Sequence, residues 1–174
     1  IIEYSSYISF DYKRIKHYEN VNEKKYYENL YENILIKHNE DYIAINKPSG
    51  LAVQGGSSQR HHVDDMLKYL FSDKTVPKLV HRIDKDTSGL LLIAKNQRSA
   101  KKLSNYFKEH KIIKTYLAIV SPSPKTNAGL IDEPILKTGV DGNQRMKVDY
   151  EKGKISLTHY KVLDKVGSRV ALIA

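Results

Sequence analysis

The chain contains no cysteine, which excludes disulfides and thiolate metal sites and fits a reducing compartment. It also lacks any run approaching the about eighteen apolar residues that a membrane-crossing helix needs. Its opening residues, Ile1-Ile2-Glu3-Tyr4, have neither the basic nor the apolar region of a secretion signal. No methionine opens the chain, so translation is not expected to start at Ile1. Glycine and proline are missing from residues 1–40, which instead hold seven of the 13 tyrosines. What is present suffices for one folded domain: 174 residues, 40% of them hydrophobic and 28% charged.

The charge is uneven. Residues 1–40 carry 6 basic and 7 acidic residues, whereas residues 41–174 carry 23 and 13, a net charge of +10. A basic domain attracts polyanions through its summed field. Nucleic acid is the usual partner, held by salt-sensitive phosphate contacts. From charge alone, a merely basic surface is an equal reading.

Tyr26, Tyr27, Tyr31, Ile34 and Leu35 give partial helical spacing from about Glu23 to Ile36, in a segment expected to pack loosely on the rest of the chain. Tyr42-Ile43-Ala44-Ile45 reads as a strand, Asn46-Lys47-Pro48-Ser49-Gly50 as a turn and Gly55-Gly56-Ser57-Ser58 as a loop. Val63, Met66, Leu67, Leu70 and Phe71 recur with the period of a half-buried helix. A short strand at Leu79-Val80 comes next, then a buried one over Gly89–Ala94. Ala100, Leu103, Tyr106 and Phe107 mark a further helix, whose polar face carries Arg98, Lys101, Lys102, Lys108 and Lys111. For any one of these cations, simple solvation is the first reading. Thr115–Val120 reads as a strand, residues 121–149 as loop-rich with a turn at Asp141-Gly142-Asn143, and Ile155–Val166 and Ser168–Ala174 as two more strands. The class is α+β, a largely β core with helices.

The most informative segment is Val80-His81-Arg82-Ile83-Asp84-Lys85-Asp86-Thr87-Ser88-Gly89-Leu90. A strand ends in a polar turn-forming run, and another strand starts directly after it. Rigidly held loops of this kind tend to carry reactive groups. Arg82 and Lys85 are near Asp84 in sequence, and close cations keep a carboxylate ionised. An oriented, ionised aspartate can act as nucleophile or base. By residue type alone, the favoured reading is that Asp84, Asp86, Thr87 and Ser88 only cap a turn. His81 and Asp84 are two potential metal ligands without a third, a poor site, so His81 reads as a hydrogen-bonded structural histidine.

Residues 81–95, HRIDKDTSGLLLIAK, resemble the signature His-Arg-Leu-Asp-x-x-Thr-Ser-Gly-Leu-Leu-Leu-x-Ala-Lys of the RluA family of pseudouridine synthases, with Ile83 in place of leucine. Two companion segments occur in the family's order. Ile45–Val53 resembles its Asn-Lys-Pro-x-Gly turn, and Lys114–Val120 its Lys-x-Tyr-Leu-Ala-x-Val strand. The likeness runs from about Ile34 to the last residue, and the Gly55-Gly56-Ser57 loop is similar to that of the branch acting on large-subunit ribosomal RNA.

The resemblance implies a pseudouridine synthase fold, with a mixed, mainly antiparallel sheet and flanking helices. It implies an N-terminal segment or linker at residues 1–33 and a catalytic domain at 34–174. It makes Asp84 the catalytic carboxylate. Tyr116 becomes the residue that packs on the target base and helps move its proton, and Arg82 a contact to RNA where the target nucleotide has left the helix. Lys47 and Pro48 fall in a segment read as structural. The implied activity is conversion of uridine to pseudouridine in large-subunit ribosomal RNA. The same reaction on transfer RNA, or a non-catalytic RNA-binding remnant, are the alternatives. Isomerisation conserves atoms and electrons, so no redox cofactor, nucleotide or metal is expected. The expected setting is cytoplasmic, with RNA as partner, no membrane, and a monomeric chain.

The family's downstream Thr-Gly-Arg-x-His-Gln-x-Arg motif, whose arginine pairs with the catalytic aspartate, has no counterpart here; Arg169 lies on a strand and does not match it. The catalytic domain is therefore expected to be incomplete at its C-terminal end, and the 174-residue chain inactive by itself. Relatives of this branch often begin with a small RNA-binding S4 domain. Tyr12-Lys13-Arg14-Ile15-Lys16 resembles only the tail of one, so no intact S4 domain is expected.

Overall fold

The structure, a computed structural model, describes residues 23–55, 61–71, 75–139 and 145–174. The segment Tyr12–Lys16, residues 56–58 of the glycine-serine loop, and the turn Asp141-Gly142-Asn143 lie outside the described residues. The chain divides into two compact units, residues 1–112 and 113–174, so the span 34–174 crosses from one to the other.

The first unit contains α1 (Glu23–Ile34), β1 (Leu35–His38), β2 (Tyr42–Lys47), α2 (Val63–Leu70), β3 (Lys78–Leu79), β4 (Gly89–Ala94) and α3 (Gln97–Lys108). Its four strands form one sheet in the order β1-β2-β4-β3, every neighbouring pair antiparallel. The central pair sets Ile43 opposite Ile93 and Ile45 opposite Leu91. Because a strand's side chains alternate, these four share one face, and all four are fully buried. Val63, Met66 and Leu67 of α2 join them in the core, with Tyr27, Leu30 and Ile34 of α1. Each such aliphatic side chain stabilises the fold by about 1.5–3 kcal/mol relative to exposure.

The tight packing of α1 differs from the loose segment expected for this region. Tyr27, Leu30 and Ile34 make a single stripe at helical spacing, and the stripe lies in the core rather than on its rim. The helix also ends earlier than its spacing suggests. Leu35 and Ile36 are exposed residues of β1, where pairing of Leu35 with Ile45 overrides local helical preference. Between β1 and β2, Asn39 accepts the Asp41 and Tyr42 amides at 2.9 Å each, an Asx turn that feeds β2.

The helix α3 packs against β4 and β3. It starts at a reciprocal cap: Asn96 accepts the Ser99 amide at 2.8 Å, and Ser99 Oγ accepts the Asn96 amide at 3.3 Å.

The second unit is built from β5 (Ala118–Val120), β6 (Ala128–Asp132), β7 (Ile135–Thr138), β8 (Arg145–Val148), β9 (Leu157–Val166) and β10 (Val170–Ile173). A sheet runs β5-β10-β9-β6, and β7 pairs with β8 as a separate ribbon, all antiparallel. The α+β class with mainly antiparallel sheets is as expected. Three strands, β6 to β8, occupy the stretch that reads as loop. They are short, β6 and β8 are mostly exposed and β7 mostly half-buried, and β6 contains Gly129 and Asp132. Such segments form strands because a partner is available, here the long β9 for β6, rather than from their own propensity. Conversely, the strand expected to begin at Thr115 starts only at Ala118, where pairing with β10 begins. Among the described residues no helix is long and apolar enough to cross a membrane.

Tyr27→Ala should lower unfolding free energy by about 3 kcal/mol in urea titrations, the range for truncating a buried aromatic. A loosely attached α1 would give a loss within about 0.5 kcal/mol, as for a surface change.

Candidate active site

The signature segment links β3 to β4. Its burial alternates: Arg82 and Asp84 are exposed, and Ile83 between them is buried in the core. Ile83 thereby anchors the loop while its neighbours stay accessible. The Thr87 amide donates to the Asp84 carbonyl at 3.1 Å, closing a turn directly behind the aspartate. Gly89 then starts β4 with φ of 124°, a backbone conformation that side-chain-bearing residues rarely adopt. The strand of the signature spans Gly89–Ala94, the limits expected for it.

Beneath this loop is Lys47, the last residue of β2, which is completely buried. Its Nζ donates to the carbonyls of Pro48 at 2.9 Å, Leu51 at 2.8 Å and Lys85 at 2.9 Å. An ammonium has three N–H donors and no acceptor, so three carbonyls satisfy it completely. Burial lowers the pKa of this group, against the opposing pull of the negative charges of Asp86 and Asp84, to about 8. It is therefore still charged at neutral pH, with all three bonds in place. Two more bonds run alongside: the Gly50 amide donates to Lys85 O at 2.8 Å, and Ser49 Oγ donates to Asp86 O at 2.8 Å. Gly50 has φ of 86°, which the turn after Pro48 requires. The turn 48–51 is thus sewn to the backbone just after Asp84.

His81 fixes the other side. Its Nε2 accepts the Leu92 amide at 2.9 Å, and its ring stacks on Phe107 of α3 at 4.3 Å. This is the hydrogen-bonded structural histidine read from sequence. Among the described residues no three His, Asp or Glu side chains gather into a metal-binding group.

Asp84 and Arg82 therefore share one loop of the first unit. Tyr116 belongs to the second unit, in the irregular stretch before β5, and is about half exposed at 51%. The proximity of Arg82 and Lys85 to Asp84 in sequence does not become an ion pair: none joins them among the described residues. The nearby buried cation is Lys47. Sequence reading treats its segment as structural and misses its position under the aspartate. The available signal is a lysine at the third inward position of a strand after Ile43 and Ile45.

Lys47→Met should destabilise the protein by on the order of 3 kcal/mol, since it leaves three carbonyls without their donor. Lys47→Arg should lose a similar amount, because a planar guanidinium cannot occupy a site shaped for three converging bonds. Denaturant unfolding of both variants tests this, and a loss confined to the methionine variant would show that charge alone matters.

The family model described as RNA pseudouridylate synthase matches residues 41–174. "Ribosomal large subunit pseudouridine synthase C" of Rickettsia conorii is 45% identical over 139 residues, which are 80% of this chain and 46% of that protein. The protein of the same name from Buchnera aphidicola subsp. Schizaphis graminum is 38% identical over 138 residues, 79% of this chain and 44% of its own. The chain thus spans less than half the length of these curated relatives. Among solved structures, "Human RNA Pseudouridylate Synthase Domain Containing 4" matches with a TM-score of 0.69 and 26% identity over 86% of this chain and 60% of that one. "Human RNA Pseudouridylate Synthase Domain Containing 1", at 24% identity and a TM-score of 0.63 over 80% of this chain, shares the fold. The matched region contains the whole signature loop, with the lysine beneath it and the histidine beside it, and the chain belongs to the RNA pseudouridylate synthase family.

Proposed function

We propose that this chain carries the aspartate loop of an enzyme that isomerises uridine to pseudouridine in large-subunit ribosomal RNA, in the cytoplasm. The observation that carries the reading is an exposed Asp84 on a loop held from below by Lys47 and from the side by His81. Loose loops position reactive groups poorly; a loop with this many fixed backbone points is preorganised. The names of the curated relatives support ribosomal RNA as the substrate class.

In this reading the target nucleotide leaves the RNA helix, because its reacting atoms are hidden in the stack. The N1–C1′ bond breaks, the base turns, and a C5–C1′ bond forms. C5 gives up a proton and N1 takes one, so product and substrate are isomers. Asp84 acts at the sugar–base bond, by attacking or by taking a proton. Arg82, exposed two residues away, contacts the RNA around the vacated position. The resemblance gives Tyr116 the ring on which the freed base stacks, a contact worth about 1–3 kcal/mol.

The test is to map pseudouridines in cellular RNA with the gene intact, deleted, and replaced by Asp84→Asn. Defined positions in large-subunit ribosomal RNA should lose the modification in the last two. In a purified form extended through any downstream arginine motif, turnover by the variant should fall by about 10²–10⁴-fold, the range for losing a positioned acid or base, while RNA affinity holds, since the carboxylate attracts no phosphate. Loss confined to transfer RNA would move the substrate. No loss at any position would leave an RNA-binding protein without this chemistry.

A further inference from the structure

Two helices of the first unit, α2 and α3, treat charge in opposite ways. On α2, Lys68 pairs with Asp64 at 2.8 Å and with Asp65 at 3.6 Å, the mixed face of an ordinary solvated helix. Residues 97–108 of α3 contain no acidic residue. Its apolar stripe, Ala100, Leu103 and Phe107, is turned inward, and Arg98, Lys101, Lys102 and Lys108 are all exposed. No ion pair among the described residues neutralises any of the four. Lys102 lies over the Tyr106 ring, 5.8 Å from its centre, an arrangement that keeps the charge outward. Like charges three and four residues apart destabilise a helix by a few tenths of a kcal/mol per pair, a cost that a polyanion removes.

Position gives this face its meaning. At about 1.5 Å per residue, α3 is roughly 18 Å long. Its C-terminal turn brings Phe107 onto His81, three residues before Asp84 in the signature loop. The basic helix therefore leads to the loop that carries the aspartate.

We propose that the outer face of α3, formed by Arg98, Lys101, Lys102 and Lys108, is a phosphate rail that docks the RNA strand flanking the target nucleotide. The inference rests on the proposed isomerase function and names how the substrate is gripped away from the reacting base. RNA is favoured over a membrane because an interfacial helix needs a free apolar face, and that of α3 is turned against the sheet. It is favoured over a protein because the exposed face offers cations and one tyrosine, with no apolar centre for a protein interface. The rail is independent of sequence: phosphate contacts fix position and register, while base contacts specify.

The test is a fourfold glutamine variant, Arg98→Gln with Lys101→Gln, Lys102→Gln and Lys108→Gln. Glutamine keeps helical preference close to that of lysine, and circular dichroism and thermal unfolding check that the fold is intact. Binding to a uridine-containing stem-loop RNA is measured from about 0.05 to 0.2 M salt. The variant should bind at least about tenfold more weakly at the lower salt. Its log–log salt slope should be shallower by roughly three, about 0.7–0.9 for each of the four phosphate contacts that the helix loses. A second measurement locates the interaction on the RNA. The chain has no cysteine, so Lys102→Cys takes a single photocrosslinker, which should label nucleotides beside the target uridine. Unchanged affinity and slope, or crosslinks scattered along the RNA, in a protein whose isomerisation depends on Asp84 would overturn the rail and leave the functional reading standing. A parent chain that binds no RNA would overturn both. Loss of binding to phosphatidylserine vesicles with RNA binding intact would assign the face to an anionic membrane and overturn the proposal.

Discussion

Lys47 is charged at neutral pH and is shut away from solvent at the end of a central strand. A buried charge is tolerated only if every hydrogen-bonding position is filled, and here three carbonyls fill them. Two of those carbonyls, of Pro48 and Leu51, belong to the turn directly after the lysine, and the third, of Lys85, belongs to the signature loop. The requirement is mutual. Neither segment can move far without stranding the ammonium, and the ammonium cannot leave without stranding both. The aspartate loop is thus held from below by one fully satisfied donor group, alongside the bonds from Gly50 and Ser49, while its outer surface stays exposed.

The same economy separates roles along the signature. His81 and Ile83 face inward, one into a backbone bond and a ring stack, the other into the core. Arg82 and Asp84 face outward. Alternation of side chains gives one set to the interior and leaves the other accessible. No ion pair forms within the loop among the described residues, and the arginine and the carboxylate are both left exposed, as their proposed roles require.

Much of this is readable from the sequence. The strand Gly89–Ala94 is a pure apolar run between a glycine and a lysine, and the structure reproduces its limits. The helices α2 and α3 follow from their apolar spacing. The aspartate loop follows from a fifteen-residue resemblance (residues 81–95), and the family match covers it. Other features are hidden for physical reasons. Lys47 sits where a strand meets a turn, and a polar residue there reads as turn chemistry; only the position of the Lys85 carbonyl, 38 residues away, reveals its role. The strands β6 and β7 have no strict alternation to betray them, and β8 alternates over only four residues, all of them exposed. The tyrosine-rich stretch before β1 shows its spacing but not its depth: Tyr27 is buried because α2 supplies a partner surface that its own sequence cannot announce.

The antiparallel pairing of β2 with β4 has a kinetic consequence. Lys47 lies opposite Gly89, and Tyr42 opposite Ala94, so the centre of the first sheet joins segments more than forty residues apart. Non-local pairings of this kind wait on closure of a long loop and tend to slow folding. During synthesis the lysine emerges well before the carbonyl of Lys85 that completes its coordination. Until β4 is available to pair, the aspartate loop has no floor, and its ordering is tied to the same late event that closes the sheet.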